Sequence, residues 1–151
     1  MPEIVVRPPT PDDFVAVTGL LAELGRPALR PETQEQVQAV YDAHLRRPDT
    51  APLVAEVGGQ VVGFLSLEFR ERLNREALQA WIPDLIVTSS AQGQGVGKAL
   101  LQRAIHLARE RGCWSLTLES GHPRKVAHQF YKDAGMRDAG LYFMLELGPG
   151  S

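Results

Sequence analysis

Two hydrophobic periodicities alternate along the chain and divide it into predicted strands and helices. Apolar residues recur at every second position in short segments, which predicts β-strands over residues 4–7, 53–57, 60–69, 80–87, 114–119 and 141–147. They recur at every third or fourth position in longer segments, which predicts helices over about residues 12–24, 31–46, 97–111 and 123–134. The order β-α-α-β-β-β-α-β-α-β predicts an α+β fold with antiparallel hairpins first and one parallel crossover.

The segment Gln92-Gly93-Gln94-Gly95-Val96-Gly97-Lys98 separates the apolar run 85–87 from the helix predicted over 97–111. Three glycines at alternate positions leave backbone N–H groups uncovered by side chains. These groups point out of a helix N-terminus, where the aligned peptide dipoles favour negative charge. The segment therefore predicts a phosphate-binding loop. The alternative is a glycine-rich turn without a ligand, in which three glycines would weaken the helix start without compensation.

Three loop designs compete for this segment. A Walker loop fails because the segment lacks its first glycine and has no hydroxyl residue after Lys98. A dinucleotide fingerprint fits two of the glycines and puts Glu119 where a ribose-binding acid would stand, but its third glycine position falls on Lys98. The pattern Q/R-x-x-G-x-G/A is matched by Gln92, Gly95 and Gly97.

That third pattern is the pyrophosphate loop of the GNAT superfamily, the acyl-CoA-dependent N-acyltransferases, which the chain resembles over nearly its whole length. A second block resembles the later signature of the superfamily. It runs from Leu118-Glu119-Ser120 through Arg124, Ala127 and Phe130-Tyr131 to Gly135-Met136. Two blocks at the expected separation are far more specific than either alone. The chain departs from the pattern at Arg124, where asparagine is common, and at Met136, where phenylalanine is usual.

This resemblance implies both a fold and an activity. The fold is a mixed, mostly antiparallel central sheet with helices on both faces and a splayed parallel strand pair. One acyl-CoA N-acyltransferase domain would cover residues 1–147, followed by a flexible tail or expression remnant at 148–151. The activity would be an N-acetyltransferase that moves an acetyl group from acetyl-CoA to a primary amine by direct attack in a ternary complex. The alternatives are a catalytically silent CoA-binding regulatory module and, from the second loop design, a dinucleotide enzyme.

The resemblance also implies where coenzyme A lies. The backbone of residues 92–98 would hold its pyrophosphate, and its pantetheine arm would pair with the main chain of Leu85, Ile86 and Val87. The strands ending at Val87 and Glu119 would have to separate to admit it. A backbone N–H near Leu85 or Ile86 would polarise the thioester carbonyl. Pro83 removes a ladder donor just before this segment, as is typical of a bulge or an edge strand.

The resemblance implies catalytic residues in the same cleft. Tyr131 would protonate the leaving thiolate, because a phenol is a donor at neutral pH. The candidates for the base are Asp84, Glu119 and Glu68, or a water molecule held by one of them. Arg124 would either reach a phosphate of the cofactor or lie in solvent.

Composition narrows the remaining classes of function. The chain has 151 residues, enough for one domain, with 44% hydrophobic and 23% charged residues and a net charge of −2, which gives no basic footprint for nucleic acid. No apolar run reaches the ~18–20 residues of a membrane span, and the N-terminus lacks a signal-peptide pattern. The single Cys113 predicts a small buried apolar residue in a reducing compartment, so we expect a cytoplasmic protein. His122 and His128 are expected at the surface, and the histidine spacing predicts no metal site. A small-molecule or peptide amine is expected as acceptor, and pairing through sheet edges would give a homodimer.

Overall fold

The structure is a computed structural model that describes residues 3–119 and 125–148. Seven strands lie in this part of the chain: β1 Ile4–Arg7, β2 Leu53–Val57, β3 Gln60–Leu65, β4 Glu68–Arg70, β5 Gln79–Ile82, β6 Leu85–Val87 and β7 Ser115–Leu118. Four α-helices accompany them: α1 Phe14–Leu24, α2 Gln34–Arg46, α3 Val96–Glu110 and α4 Lys125–Asp133. Short 3-10 turns precede α1 at Pro11–Asp13 and follow β6 at Ser89–Ala91.

Two strands predicted as continuous are broken at one place in the sheet. The segment 60–69 divides into β3 and β4, and the segment 80–87 divides into β5 and β6 at Pro83 and Asp84. Pro83 has no N–H to donate, and the Ser66 hydroxyl replaces a ladder partner by accepting the Asp84 N–H at 2.8 Å. The Ser66 N–H still donates to the Asp84 carbonyl at 2.9 Å. The break is therefore a local irregularity that Ser66 holds in place.

The two halves of the sheet separate at this break. One sheet has the order β1-β2-β3-β6 and the other the order β4-β5-β7. Strands β5 and β7 are parallel, with a register that runs from Gln79↔Ser115 to Ile82↔Leu118. Beyond Ile82 the chain continues as β6, which pairs with β3 and with no other described strand. The predicted mixed sheet with a splayed parallel pair is confirmed.

Helices cover both faces of the sheet, as the sequence predicts. Helix α3 buries Val96, Leu100, Leu101, Ala104 and Ala108 in a cluster with apolar residues of β2, β3 and β5. Helix α1 packs on the opposite face, where Val17 and Leu20 join Val54 and Phe64.

The largest differences from the predicted elements are one absent strand and one helix that begins later. The predicted strand 141–147 is wrong, because the described residues 136–147 form neither helix nor strand. The apolar side chains from Leu141 to Leu147 are between 59% and 90% exposed. Alternation indicates a tendency to extend, but a strand also needs a partner for its N–H and C=O groups, and no described strand pairs with this segment. Helix α2 begins at Gln34 instead of residue 31, because the Thr33 N–H closes a turn on the Arg30 carbonyl at 3.1 Å.

Candidate functional site

The glycine loop connects β6 to α3 and turns the chain sharply. Gly93 and Gly95 have φ values of 79° and 86°, in the left-handed region that side chains rarely adopt. Gly95 is the N-cap of α3, and Gly97 is the second residue of the helix. A Cβ atom at Gly97 would lie 3.5 Å from Cζ of Phe130 and 3.7 Å from Cγ2 of Val87. The loop therefore requires glycine for its left-handed backbone at positions 93 and 95, whereas a side chain at position 97 would make ordinary contacts.

The start of α3 presents a row of backbone donors. The first N–H of the helix with an acceptor is that of Ala99, which donates to the Gly95 carbonyl at 3.0 Å. Among the described residues, the N–H groups of Val96, Gly97 and Lys98 have no acceptor. Residues 92–95 and Lys98 are exposed, and the positive end of a 15-residue helix dipole lies here. These donors suit an anion with several oxygens, such as a diphosphate.

Strand β6 offers a free edge that leads directly to this loop. The bonds Ser66 N–H to Asp84 and Thr88 N–H to Val62 fix the alternation of the β3–β6 ladder. Phe64 and Ile86 are therefore the hydrogen-bonded pair between them, and the backbone groups of Leu85 and Val87 point away from β3.

The direction of the backbone groups in β6 distinguishes between Leu85 and Ile86, the two candidate N–H donors for the thioester carbonyl. The N–H of Ile86 faces Phe64 on β3, whereas the N–H and C=O of Leu85 face the gap between β6 and β7. The carbonyl of Val87 accepts a hydrogen bond from the Gln92 side-chain amide at 3.1 Å. The N–H of Val87 has no partner strand on that side among the described residues. Leu85 and Val87 are thus the two residues of β6 whose main chain can pair with an extended ligand.

Helix α4 lies beside the start of α3. Its Phe130 contacts the position of Gly97, and the Tyr131 ring packs edge-to-face on Phe130 with 5.5 Å between centroids. Tyr131 is half-buried and packs against the core that contains α3. The structure therefore brings the helix that carries Tyr131 next to the glycine loop. Arg124 and His122 lie outside the described residues.

The three carboxylates proposed from the sequence have different surroundings. Asp84 lies at the strand break, where its Oδ1 is 2.8 Å from Nη2 of Arg26 and its Oδ2 accepts a hydrogen bond from the Ser66 hydroxyl at 3.0 Å. Glu68 is half-buried at the start of β4. Glu119 is exposed directly after the end of β7. Asp84 and Glu68 therefore lie near the break in the sheet. Glu119 follows β7, on the other side of the gap between β6 and β7.

A cavity of about 230 Å³ lies between helices α1 and α2 and the sheet. Its helical wall includes Leu21, Val37, Val40 and Tyr41, and its floor includes Ser66, Glu68 and Asp84. The cavity is lined by Asp84, the residue at which β5 and β6 separate, which directly precedes Leu85.

This cavity was not predicted from the sequence. The available signal was the apolar spacing of Val37, Val40 and Tyr41 on α2. In the described helix α2 no side chain is fully buried: Tyr41 packs against Phe14 and the core below α1, whereas Val37 and Val40 line the open side of the cavity. Burial raises the pKa of Tyr41 to about 12, and its hydroxyl donates to the Thr10 carbonyl.

The remaining features are the cysteine, the possible metal ligands and the apolar character of the helices. Burial raises the pKa of the Cys113 thiol, so this half-buried residue stays protonated at neutral pH. Within residues 3–119 and 125–148, no cluster of side chains has the composition of a metal site. In the same ranges, no helix combines the length and the apolar character needed to cross a membrane.

The sequence is similar to those of known acetyltransferases. The model of the acetyltransferase (GNAT) family matches residues 18–136. The aminoalkylphosphonate N-acetyltransferase of Salmonella typhimurium is 30% identical over 144 residues, which cover 95% of this chain and 91% of that protein. Some longer curated relatives are matched over only about 40% of their own length.

Solved structures share the fold. A transcriptional regulator from Bacillus halodurans superposes with a TM-score of 0.89 at 24% identity, covering 96% of this chain and all of the other. The aminoglycoside N-acetyltransferase AAC(6')-Iy, solved in complex with CoA, superposes with a TM-score of 0.81 at 16% identity and covers 97% of this chain and 96% of its own.

Proposed function

Because the chain belongs to the GNAT acetyltransferase family, we propose that it transfers an acetyl group from acetyl-CoA to a primary amine by direct attack in a ternary complex. The observation that carries this proposal is the continuity of two ligand-binding features. The free edge of β6 at Leu85 and Val87 leads straight into the unpaired N–H groups of Val96, Gly97 and Lys98. One molecule in which an extended arm leads to a diphosphate would satisfy both sets of donors.

The residues present fit coenzyme A. The N–H groups of Val96, Gly97 and Lys98 would hold the diphosphate through charge-assisted hydrogen bonds, which are stronger than neutral ones. The main chain of Leu85 and Val87 would pair with the amide groups of the pantetheine arm, as a peptide adds to a free sheet edge. The Gln92 amide, bound to the Val87 carbonyl, holds the loop against β6. The CoA complex of the structural neighbour of the same fold supports this choice of ligand.

Acetyl-CoA supplies an activated acetyl thioester when it is bound. The Leu85 N–H faces the gap and is the donor that would stabilise negative charge on a carbonyl oxygen there. The Asp84 carboxylate would take the proton from the amine, directly or through water, while Arg26 and Ser66 hold that carboxylate in place. The Tyr131 phenol would hold the proton that the departing sulfur needs. Glu119 is the second candidate for the base because it follows the other strand at the gap.

The acceptor is proposed to be a small-molecule amine. The Salmonella relative is named for aminoalkylphosphonates and the structural neighbour for aminoglycosides, both of which carry primary amines. We propose that the protein is located in the cytoplasm. Pairing of two chains through their sheet edges stays a prediction.

The test is a thiol-release assay with acetyl-CoA and a panel of primary amines. We expect steady thiol production with at least one amine, and a decrease of about 10²- to 10⁴-fold in Tyr131→Phe with CoA affinity unchanged. Tyr142→Phe is the matched control, since Tyr142 is 59% exposed in the C-terminal segment. Full activity of Tyr131→Phe would exclude Tyr131 as the acid. Tight CoA binding without turnover over the whole panel would instead support the catalytically silent regulatory module.

A further inference from the structure

The cavity between α1, α2 and the sheet has a mainly apolar wall, in which the Tyr41 and Thr18 hydroxyls are already hydrogen-bonded. Leu21, Val37 and Val40 contribute aliphatic surface. The Tyr41 hydroxyl donates to the Thr10 carbonyl, so the Tyr41 ring adds aromatic surface without a free polar group. The Thr18 hydroxyl donates back to the Phe14 carbonyl at 3.0 Å. A ligand that enters between these helices therefore meets mainly hydrocarbon.

The floor of the cavity has one carboxylate that its neighbours do not neutralise. Asp84 is paired with Arg26 at 2.8 Å. Among the described residues, the Glu68 carboxylate accepts no hydrogen bond and makes no ion pair. Arg47 interacts with Glu68 only by long-range electrostatics, because the Arg47 guanidinium is hydrogen-bonded to Asp49 at 2.9 Å. A half-buried carboxylate beside an apolar cavity favours a cation as its partner.

From these observations we infer that the acceptor is a compact primary amine with an apolar or aromatic body, bound as an ammonium ion by Glu68. The inference rests on the proposed function and adds the chemical class of its second substrate. The apolar body would lie between α1 and α2, and the amino group would lie on the floor that Glu68 shares with Asp84. The cavity volume of about 230 Å³ is smaller than the ~300–1,000 Å³ of typical sites for drug-sized ligands. A large acceptor would therefore not fit inside the cavity. Acceptors with an anionic group would oppose the charge of Glu68.

A matched pair of probes tests the class of acceptor. 2-Phenylethylamine and 2-aminoethylphosphonate carry the same aminoethyl group, on an apolar ring in one and on an anionic phosphonate in the other. We expect kcat/KM from thiol release to favour 2-phenylethylamine by at least about 100-fold, because the phosphonate would be repelled by Glu68 and would lie mainly against apolar side chains. Glu68→Gln should raise KM for 2-phenylethylamine by about tenfold or more and should narrow the preference between the two probes. Glu35→Gln removes an exposed carboxylate of α2 as the control and should change neither value.

A second pair of variants tests the position of the apolar body. Val37→Phe narrows the cavity and should lower kcat/KM for 2-phenylethylamine more than for ethylamine, which lacks the ring. Val15→Phe is the control, because Val15 is 71% exposed on α1 and does not line the cavity. CoA affinity should be the same in all four variants.

The outcomes separate this inference from the proposed function. If 2-aminoethylphosphonate is acetylated as well as 2-phenylethylamine, or if Glu68→Gln leaves their ratio unchanged, the inference is overturned and the acetyltransferase activity stands. If no amine releases thiol, the proposed function fails, and calorimetry with 2-phenylethylamine at saturating CoA decides the inference. Binding that Glu68→Gln weakens would support it, and absence of binding would overturn it.

Discussion

The substitution Gly97→Asp tests the proposed diphosphate site at a position where a Cβ atom fits. A Cβ atom at position 97 would lie 3.5 Å and 3.7 Å from its nearest neighbours, Phe130 and Val87, which are ordinary contact distances. The backbone of Gly97 is helical, so no left-handed strain opposes a side chain, in contrast to Gly95 with its φ of 86°. An aspartate in the first turn of a helix also adds about 0.3–1 kcal/mol of stability. We therefore expect Gly97→Asp to melt at or above the temperature of the wild type.

The same side chain should strongly weaken CoA binding. A carboxylate about 6 Å from a phosphate charge, at an effective dielectric constant near 20, costs about 2–3 kcal/mol. That energy corresponds to a roughly 30- to 150-fold increase in Kd. Calorimetric titration with CoA measures the change directly, and its size should decrease at high salt because salt screens the repulsion.

Two control variants separate the charge from the volume of the new side chain. Gly97→Asn has nearly the same shape as Gly97→Asp and no charge, and Gly97→Ala adds only the Cβ. We expect Gly97→Ala to bind CoA nearly as well as the wild type and Gly97→Asn to bind with intermediate affinity. If folded Gly97→Asp bound CoA as tightly as Gly97→Asn, the diphosphate would not lie at the start of α3.

Three further substitutions test other parts of the account. Gly63→Ala should destabilise the fold by about 1–3 kcal/mol in urea titrations, because its Cβ would lie 3.0 Å from Cδ1 of Leu100; unchanged stability would contradict this packing. The Arg7 guanidinium holds the pKa of the Asp13 carboxyl below its ordinary value, so Asp13 stabilises the fold while ionised and loses this contribution as the pH falls through its folded pKa. Asp13→Asn should therefore be less stable than the wild type at pH 7 and should approach it below about pH 4, whereas a constant difference would contradict the linkage. Asp84→Asn should lower the rate of thiol release by about 10²-fold with little change in CoA affinity, and an unchanged pH–rate profile would exclude Asp84 as the base.

The features that the sequence predicted well depend on local pattern. The stripe of α3 repeats with helical spacing, and the glycines before it match a motif whose geometry is set by backbone conformation. Pro83 has no backbone donor, and this local property already indicated an irregularity where β5 and β6 separate.

The features that the sequence did not predict depend on contacts between distant segments. Asp84 pairs with Arg26, which is 58 residues away in the chain, so its surroundings could not be inferred from its neighbours. The cavity depends on how α2 packs beside α1, with Val37 and Val40 left exposed, and the apolar stripe alone resembles that of a core helix. The segment 141–147 alternates like a strand, but alternation does not specify a partner.

The most direct test of the central claim is the binding of CoA to the intact wild-type protein. The account predicts saturable binding of one CoA per chain, weakened by salt, with a rise in melting temperature that NAD or NADP does not produce. A ligand at 100 times its Kd adds about 2.7 kcal/mol to the free energy of unfolding, so the shift should be easily measured. Calorimetry that registers no heat with CoA at millimolar concentration, on protein shown to be folded, would contradict the account.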